Sequence, residues 1–249
     1  MNEEYYIKNP KKQILTEHQQ FGIALGLIQS ERLGAYVDSL DVGKTDYPQK
    51  QLLGKDWGIT DKESATELLD RISSVGHRKL YNRLLEIYIA QDCVEAAKID
   101  FTGTEFEDKN TVYDEEQDEE MYQQTWEDVI IHLENLDEVY ELEDAGPWFG
   151  DLEDDFKVGT DAWDIGRVVF ISRVCYTLGY ISENEAWSYI EKMIILAKQK
   201  FKNWERYATS YVLGRAMWGG DNGDWEEVAG FAGDALEEKQ SPWTKLKWK

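Results

Sequence analysis

The chain has 249 residues, a formal net charge of −23 and an apolar content of 42%. This length and composition suffice for one sizeable hydrophobic core or two small ones. No apolar run approaches the roughly 18–20 residues that span a bilayer, and the acidic N-terminus lacks the basic-then-apolar order of a signal peptide. We therefore expect a cytoplasmic protein that makes no contact with membranes and forms a single domain over residues 1–249.

The negative charge is concentrated in one stretch. From Glu105 to Lys157 there are 21 carboxylates against two lysines, Lys109 and Lys157, which is a local net charge of −19. Such a field repels nucleic acids and attracts basic proteins or cations. Three interpretations stay open for this stretch: a solvated face, a docking surface for a basic partner, or a metal site. We expect no nucleic-acid partner.

The N-terminal part, residues 1–100, has apolar residues at helical spacing, interrupted by glycine and proline. We predict helices over about residues 16–38, 60–75 and 77–100, and a connection without helix over 41–55. Either Thr60 or Asp61 caps the second helix. Gly76 ends that helix, and His77 begins the next one as a locally hydrogen-bonded residue.

The middle part, residues 101–159, is the acidic insertion. Residues 102–117 have little apolar content and predict an exposed loop, whereas apolar residues return at helical spacing from about 119 to 143. Gly146 and Pro147 then break the pattern, and residues 148–159 are expected to be irregular.

The C-terminal part, residues 160–249, predicts three helices over about 160–179, 182–202 and 203–220, a turn at 221–223 and a last helix to about 238. Ser182 and Glu185 have the spacing of a capping box. Sustained alternation of apolar and polar residues is absent, which argues against strands. The expected fold is a mainly α, single compact multi-helix domain with an acidic, partly irregular insertion.

Three arginines lie in or next to strongly apolar helical sequence: Arg167, Arg173 and Arg215. A guanidinium stays charged at any relevant pH, so each needs a carboxylate, a backbone carbonyl or an aromatic face. Asp164 precedes Arg167 by three residues and shares its helix face. Gly166 and Gly214 each precede an arginine, and their small size would let helices approach closely enough for the charges to meet.

Two interpretations of these arginines remain open. One is a buried salt-bridge network that fixes how three helices pack. The other is a cationic pocket for a carboxylate or phosphate, walled by tryptophan. The candidate ligand-binding set is then Trp163, Asp164, Arg167, Arg173, Trp187, Arg215 and Trp218.

Motifs for metal, cofactor and nucleophilic catalysis are absent from the sequence. The histidines, His18, His77 and His132, have no metal-ligand spacing, and there is no glycine-rich phosphate loop. Cys93 and Cys175 are expected to be buried and unpaired, as in a reducing compartment. We therefore expect no metal and no cofactor, and we favour a non-enzymatic protein, with an enzyme kept as the alternative.

The tryptophan–arginine signature carries a resemblance to a known family. It comprises Ala162-Trp163-Asp164, Gly166-Arg167, Arg173, Gly179-Tyr180-Ile181, Glu185-Ala186-Trp187, Trp204, Tyr211 to Arg215, Trp218 and Ser241-Pro242-Trp243, preceded by Trp57-Gly58-Ile59, Leu68-Leu69 and Gly76-His77. Over about residues 50–249 the chain resembles the bacterial domain-of-unknown-function 1266 family. The resemblance implies a cytosolic bacterial helical domain, with 105–157 as a variable insertion, and implies no activity, cofactor or catalytic residue.

Two hypotheses of function follow. The first is a non-enzymatic interaction protein, such as an immunity protein that neutralises a toxin, which binds a basic partner through its acidic segment. Its candidate partner-binding residues are Asp151, Glu153, Asp154 and Asp155. The alternative is an enzyme or binder of a small anionic ligand around Arg167, Arg173 and Arg215.

Overall fold

Helices make up the regular structure of the part of the chain that the structure describes. The computed structural model describes residues 5–43, 47–91, 131–139, 146–149, 152–220 and 224–248, and no strand occurs within these ranges, so the mainly α class is confirmed. None of the described helices is long and apolar enough to cross a bilayer. The helices are α1 (Glu17–Ala24), α2 (Leu27–Arg32), α3 (Tyr47–Trp57), α4 (Lys62–Ser74), α5 (Arg78–Gln91), α6 (131–139), α7 (Gly146–Phe149), α8 (Leu152–Phe156), α9 (Asp161–Thr177), α10 (Glu183–Lys200), α11 (Trp204–Gly219), α12 (Trp225–Glu237) and α13 (Pro242–Lys245).

The single helix predicted over 16–38 is wrong, because the chain forms two short helices, α1 and α2. The break lies where distant side chains donate hydrogen bonds to the backbone carbonyls at the C-terminal end of α1. Trp243 Nε1 donates to the carbonyl of Ala24 at 2.8 Å, and the Tyr207 hydroxyl donates to the carbonyl of Leu25 at 2.7 Å. These bonds replace helical hydrogen bonds that a continuous helix would make.

The connection predicted over 41–55 is also wrong in its second half, which forms α3. Pro48 lies in the first turn of this helix, where a backbone N–H has no helical partner, so proline is tolerated there. Gly54 lies inside α3. A glycine in this position lowers the stability of a helix but does not prevent the helix from forming.

The helices α4 and α5 confirm the predicted turn at Gly76. Asp61 caps α4 in a capping box with Ser64, and Gly76 has a φ of +62°, in the left-handed region that favours glycine. The predicted extension of α5 to residue 100 and the loop over 102–117 lie outside the described residues. Residues 131–139 are helical, which confirms that part of the predicted acidic helix. The prediction of irregular structure over 148–159 is wrong in part, because α7 ends within this stretch and α8 lies inside it.

The helix α9 is the centre of the fold, since 161–175 are all buried. It packs most extensively against α10 and α11, and the three predicted signature helices are confirmed, including the Ser182–Glu185 capping box. Two glycines permit the close approach of α9 and α11. A Cβ on Gly166 would lie 2.4 Å from the Tyr211 ring, and one on Gly214 would lie 2.3 Å from Trp163 Cβ.

Two signature tryptophans build an aromatic cluster beside this core. The rings of Trp204 and Trp243 stack with centroids 4.9 Å apart, and Trp248 meets Trp204 edge-on at 4.7 Å. Their indole N–H groups donate to backbone carbonyls, Trp204 to Leu246 and Trp248 to Phe201. These tryptophans have their polar atoms satisfied, so they serve the packing of the C-terminal segment.

Candidate functional site

Asp164 is the buried anion around which the site forms. Its side chain is fully buried, and its Oδ2 accepts hydrogen bonds from the backbone N of Arg78 at 2.8 Å and from Arg78 Nη1 at 3.1 Å. Its Oδ1 accepts from Arg167 Nη2, so the predicted pair of Asp164 and Arg167 is confirmed. The turn before α5 can approach this closely because Gly76 has no Cβ, which would lie 2.0 Å from Asp164 Oδ2.

Arg167 connects the buried interior to His77. Its Cζ lies 4.7 Å from the centroid of the Trp163 ring and 5.8 Å from that of Trp57, both within cation–π distance. Its Nη2 donates to Nδ1 of His77 at 2.8 Å. The prediction that His77 bonds locally is therefore wrong, since its partner is on α9.

His77 is half-exposed, with 41% of its side chain accessible. Burial of the ring, followed by the positive charge of Arg167, lowers the pKa of His77 to about 4. The imidazole is therefore neutral near pH 7.

Arg215 lies between two tryptophans. Its Cζ is 5.6 Å from the centroid of the Trp163 ring and 4.4 Å from that of Trp218, whose side chain is 47% exposed. The guanidinium itself is buried, and that burial lowers its pKa, followed by the repulsion from Arg32. Its contact with a carboxylate is long, since Nη2 lies 3.5 Å from Oδ2 of Asp224, and that oxygen lies only 2.5 Å from Arg32 Nη2.

Three buried donors in this group have no acceptor: Nε1 of Trp163, Nε of Arg167 and Nε of Arg215. Among the described residues, they are three of the five buried side-chain polar atoms without a hydrogen-bond partner. Buried N–H groups are normally paired, and each unpaired one costs about 1–3 kcal/mol. We refer to Trp163, Arg167, Arg215 and Trp218 as the Trp163 site.

Arg173 lies apart from this site. It is fully buried, and its guanidinium donates to Ser30 Oγ at 2.7 Å and to the carbonyls of Ser39, at 3.1 Å, and Tyr36. Burial lowers its pKa to about 10, so it remains charged. These oxygens hold residues 30–39 against α9, which is the structural role that the sequence left open.

Trp187 is not brought to the arginines either. It lies on α10 and lines a surface groove with Thr16, His18 and Glu191. Of the three tryptophans predicted as pocket walls, Trp163 and Trp218 contact an arginine of the set.

The acidic segment is described in part. Asp154 is exposed and Asp155 is half-buried on α8, where Arg206 donates to the Asp154 carbonyl and lies 3.4 Å from Asp155 Oδ1. The side chains of Asp151 and Glu153, like Cys93, lie outside the described residues. Within the ranges that the structure describes, no group of three or more His, Cys, Asp or Glu is placed to hold a metal ion, and the sulfur of Cys175 is buried and unpaired.

A family model described as a protein of unknown function, DUF1266, matches residues 52–248. The chain belongs to the DUF1266 family. Neither curated proteins nor solved structures gave a match. The DUF1266 match contains all of the Trp163 site together with His77 and Asp164, whereas Arg32 precedes it.

Sequence reasoning missed two residues that complete this arrangement, Arg78 and His77. The signal that could have found them is a glycine followed at once by two side chains rich in hydrogen-bonding groups, at the start of a helix. Such a turn exposes backbone N–H groups that suit a carboxylate. Nothing local in the sequence indicates that this carboxylate is Asp164.

Proposed function

We propose that this protein binds a small anionic ligand at the Trp163 site. The observation that supports the proposal is the set of three buried donors without acceptors, on Trp163, Arg167 and Arg215. Oxygen atoms of a carboxylate or phosphate would accept from these groups, and hydrogen bonds to charged groups are stronger than those between neutral groups.

The arginines around the site share their carboxylates unevenly. Among the described residues, Arg78 pairs with both Asp164 and Asp161, whereas Arg167 pairs with Asp164 alone. Arg32 pairs with Asp224 and Glu227, whereas Arg215 has only the long contact with Asp224 in the same part of the chain. Arg167 and Arg215 are therefore the two guanidiniums to which an anionic ligand would add the most.

Arg167 and Arg215 each lie between the buried indole of Trp163 and a half-exposed side chain. Arg167 reaches the half-exposed His77, and Arg215 lies over the half-exposed Trp218. A ligand from solvent would meet the arrangement at these two half-exposed side chains, and the three unpaired donors lie buried behind them.

Isothermal titration with sodium sulfate, against sodium chloride of equal ionic strength, tests the proposal. We expect sulfate to bind the wild-type protein and the control Arg83→Gln, whose arginine is 59% exposed and pairs with Glu86 on the surface. Arg215→Gln should lose binding. Trp163→Phe keeps an aromatic ring but removes the unpaired indole N–H, and it should weaken binding. Equal heats for Arg215→Gln and Arg83→Gln, or no binding by the wild type, would overturn the proposal.

A second candidate function is the binding of a basic protein through the acidic segment. The observation that favours it is the local net charge of −19, from 21 carboxylates and two lysines between Glu105 and Lys157. A field of this size accelerates association with a basic surface and makes it sensitive to salt. An immunity-type inhibitor of a basic toxin is one concrete form.

The second candidate is tested by co-purification at low salt from the cells that produce the protein. Neutralising Asp151 and Glu153 together should abolish recovery of a basic partner, identified by mass spectrometry. Neutralising the exposed Glu63 and Glu67 of α4 removes the same charge elsewhere and should leave recovery unchanged. Identical recovery with both double variants would contradict this function.

A further inference from the structure

We propose that a cluster of lysines on this acidic protein binds an acidic polypeptide segment that carries an apolar side chain among its carboxylates. The cluster, which we call the lysine face, consists of Lys198 at the end of α10, Lys202 just after it and Lys247 near the C-terminus, with Ile195 one helical turn before Lys198. It is separate from the Trp163 site and opposite in charge to the acidic segment, so this inference rests on neither of the functions proposed above.

The sequence separates these lysines from the negative charge of the rest of the chain. Residues 192–204 and 239–249 each contain four lysines and no carboxylate side chain. Together these two stretches hold eight of the 27 lysines and arginines of the protein and none of its 50 aspartates and glutamates. A local field of this sign attracts an acidic partner.

The aromatic cluster at the C-terminal segment brings the two stretches together. Trp248 Nε1 donates to the Phe201 carbonyl at 2.8 Å, and two lysines of the face are chain neighbours of these two residues. The third, Lys198, has its Nζ 5.2 Å from the centroid of the Phe21 ring, and that ring lies 5.0 Å from the ring of Trp248. The three lysines therefore lie around Trp248.

The charges of the face are open to a partner. All three lysine side chains are exposed, and within the ranges that the structure describes none of them has a carboxylate oxygen within 4.0 Å. Lys200, between two of them in the sequence, differs because it pairs with Asp161 at 3.6 Å. Glu191, one helical turn before Ile195, is paired with His18 at 2.6 Å. Carboxylates of a partner would therefore supply the counter-charges that the face lacks.

The chemistry of the face favours a polypeptide over a nucleic acid. Neither lysine-rich stretch contains arginine, whose planar guanidinium suits the bidentate recognition of phosphate. Trp204 and Trp243 are buried, so their rings are not available to stack on bases. Ile195 is 50% exposed and would contact an apolar side chain, which a nucleic-acid backbone does not offer.

A narrow segment also fits the face better than a membrane surface does. Glu17, Glu191 and Glu205 are exposed on α1, α10 and α11, the helices that border the aromatic cluster. A broad anionic surface would meet these carboxylates together with the lysines. The Debye length is about 8 Å at physiological ionic strength, so a segment that lies on the lysines alone is screened from most of the negative charge of the protein.

Fluorescence anisotropy of the full-length protein tests the proposal, with a labelled peptide of alternating glutamate and serine that has one central leucine as the probe. We expect binding that weakens as sodium chloride is added. The affinity should fall about tenfold or more in the triple variant Lys198→Gln, Lys202→Gln, Lys247→Gln. The matched control removes the same charge at exposed lysines elsewhere and should bind as the wild type does: Lys8→Gln, Lys50→Gln, Lys55→Gln. Equal affinities of the two triple variants, or no binding by the wild type at low salt, would overturn the proposal.

Two further measurements test the apolar contact and the class of partner. Ile195→Ser should weaken binding of the leucine peptide by about threefold or more and should not change binding of a peptide with serine in place of the leucine. An equal effect on both peptides would overturn the role of Ile195. Single-stranded DNA and vesicles containing phosphatidylserine then compete with the labelled peptide at matched negative charge. Displacement by either at a lower concentration than the unlabelled peptide requires would overturn the assignment to a polypeptide.

Discussion

His77 and Arg167 are ninety residues apart in the sequence and are joined by a hydrogen bond of 2.8 Å between Arg167 Nη2 and His77 Nδ1. This bond ties the turn between α4 and α5 to the central helix α9. The same turn places the Arg78 backbone N on Asp164. Since Asp164 and Arg167 are themselves paired, one short loop is fixed by two residues one helical turn apart.

Replacement of Asp164 by asparagine should strongly destabilise the protein. The carboxylate is fully buried and accepts from Arg78 and Arg167. Its loss leaves Arg167 without its anion and Arg78 with only the longer contact to Asp161, at 3.9 Å. Breaking a buried ion pair in this way costs about 3–5 kcal/mol. Urea denaturation gives the free energy of unfolding. Glu86→Gln breaks an exposed pair with Arg83 and should cost less than about 0.5 kcal/mol; similar losses for the two variants would contradict the assignment.

Gly214→Ala should destabilise the contact between α9 and α11. The added Cβ would lie 2.3 Å from Trp163 Cβ, which is attached directly to the backbone of α9 and cannot rotate away. Overpacking of this kind costs about 1–3 kcal/mol. Gly230 on α12 is the matched control, because a Cβ there meets nothing within 4 Å. Alanine at Gly230 should stabilise its helix by about 0.5–1 kcal/mol, so the two variants should move the melting temperature in opposite directions.

The contribution of His77 to stability should depend on pH. An unfolded histidine has a pKa of about 6.5, and burial lowers the pKa of His77 to about 4 in the folded protein. Between these values the unfolded chain binds more protons, so the free energy of unfolding falls as the pH falls from about 6.5 to 4. Above pH 7 both states are neutral and the effect is absent.

This dependence is measured as the difference in unfolding free energy between the wild type and His77→Gln at pH 7.0 and pH 4.5. The difference should become less favourable to the wild type at the lower pH. Carboxylates that titrate in the same range cancel, since both proteins contain them. A difference that stays constant, or grows in favour of the wild type, would show that His77 keeps an ordinary or raised pKa.

Tyr207→Phe should destabilise the protein, because it removes the hydrogen bond to the Leu25 carbonyl between α1 and α2. The hydroxyl is fully buried and donates to the Leu25 carbonyl at 2.7 Å, so its removal leaves that carbonyl without its partner. The cost of such a loss is about 1–3 kcal/mol. Tyr189→Phe removes a similar bond to Asp70, but Asp70 is exposed and water can replace the donor. Chemical denaturation of both variants should show the larger loss for Tyr207, and the reverse order would contradict the role of this bond.

Features set by neighbouring residues were predictable from the sequence. The Ser182–Glu185 capping box and the Asp164–Arg167 pair depend on spacings of three residues, which can be recognised within the sequence of one helix. The tight contacts at Gly166 and Gly214 were also anticipated, because a glycine inside an apolar helix needs a packing reason.

Features set by distant residues were not predictable. The break between α1 and α2 depends on Tyr207 and Trp243, which follow it by about two hundred residues. Two of the three partners of Arg173 are the backbone carbonyls of Tyr36 and Ser39, and a carbonyl is present at every residue, so the sequence does not indicate which ones are used. The same holds for His77, whose local surroundings gave no sign of Arg167.

The hydrogen bond from Trp243 to the Ala24 carbonyl has a consequence for synthesis of the protein. The bond can form only after residue 243 has been translated and has left the ribosomal exit tunnel. The contacts between the N-terminal helices and the Trp204–Trp243 stack are therefore among the last that the chain can make as it is synthesised.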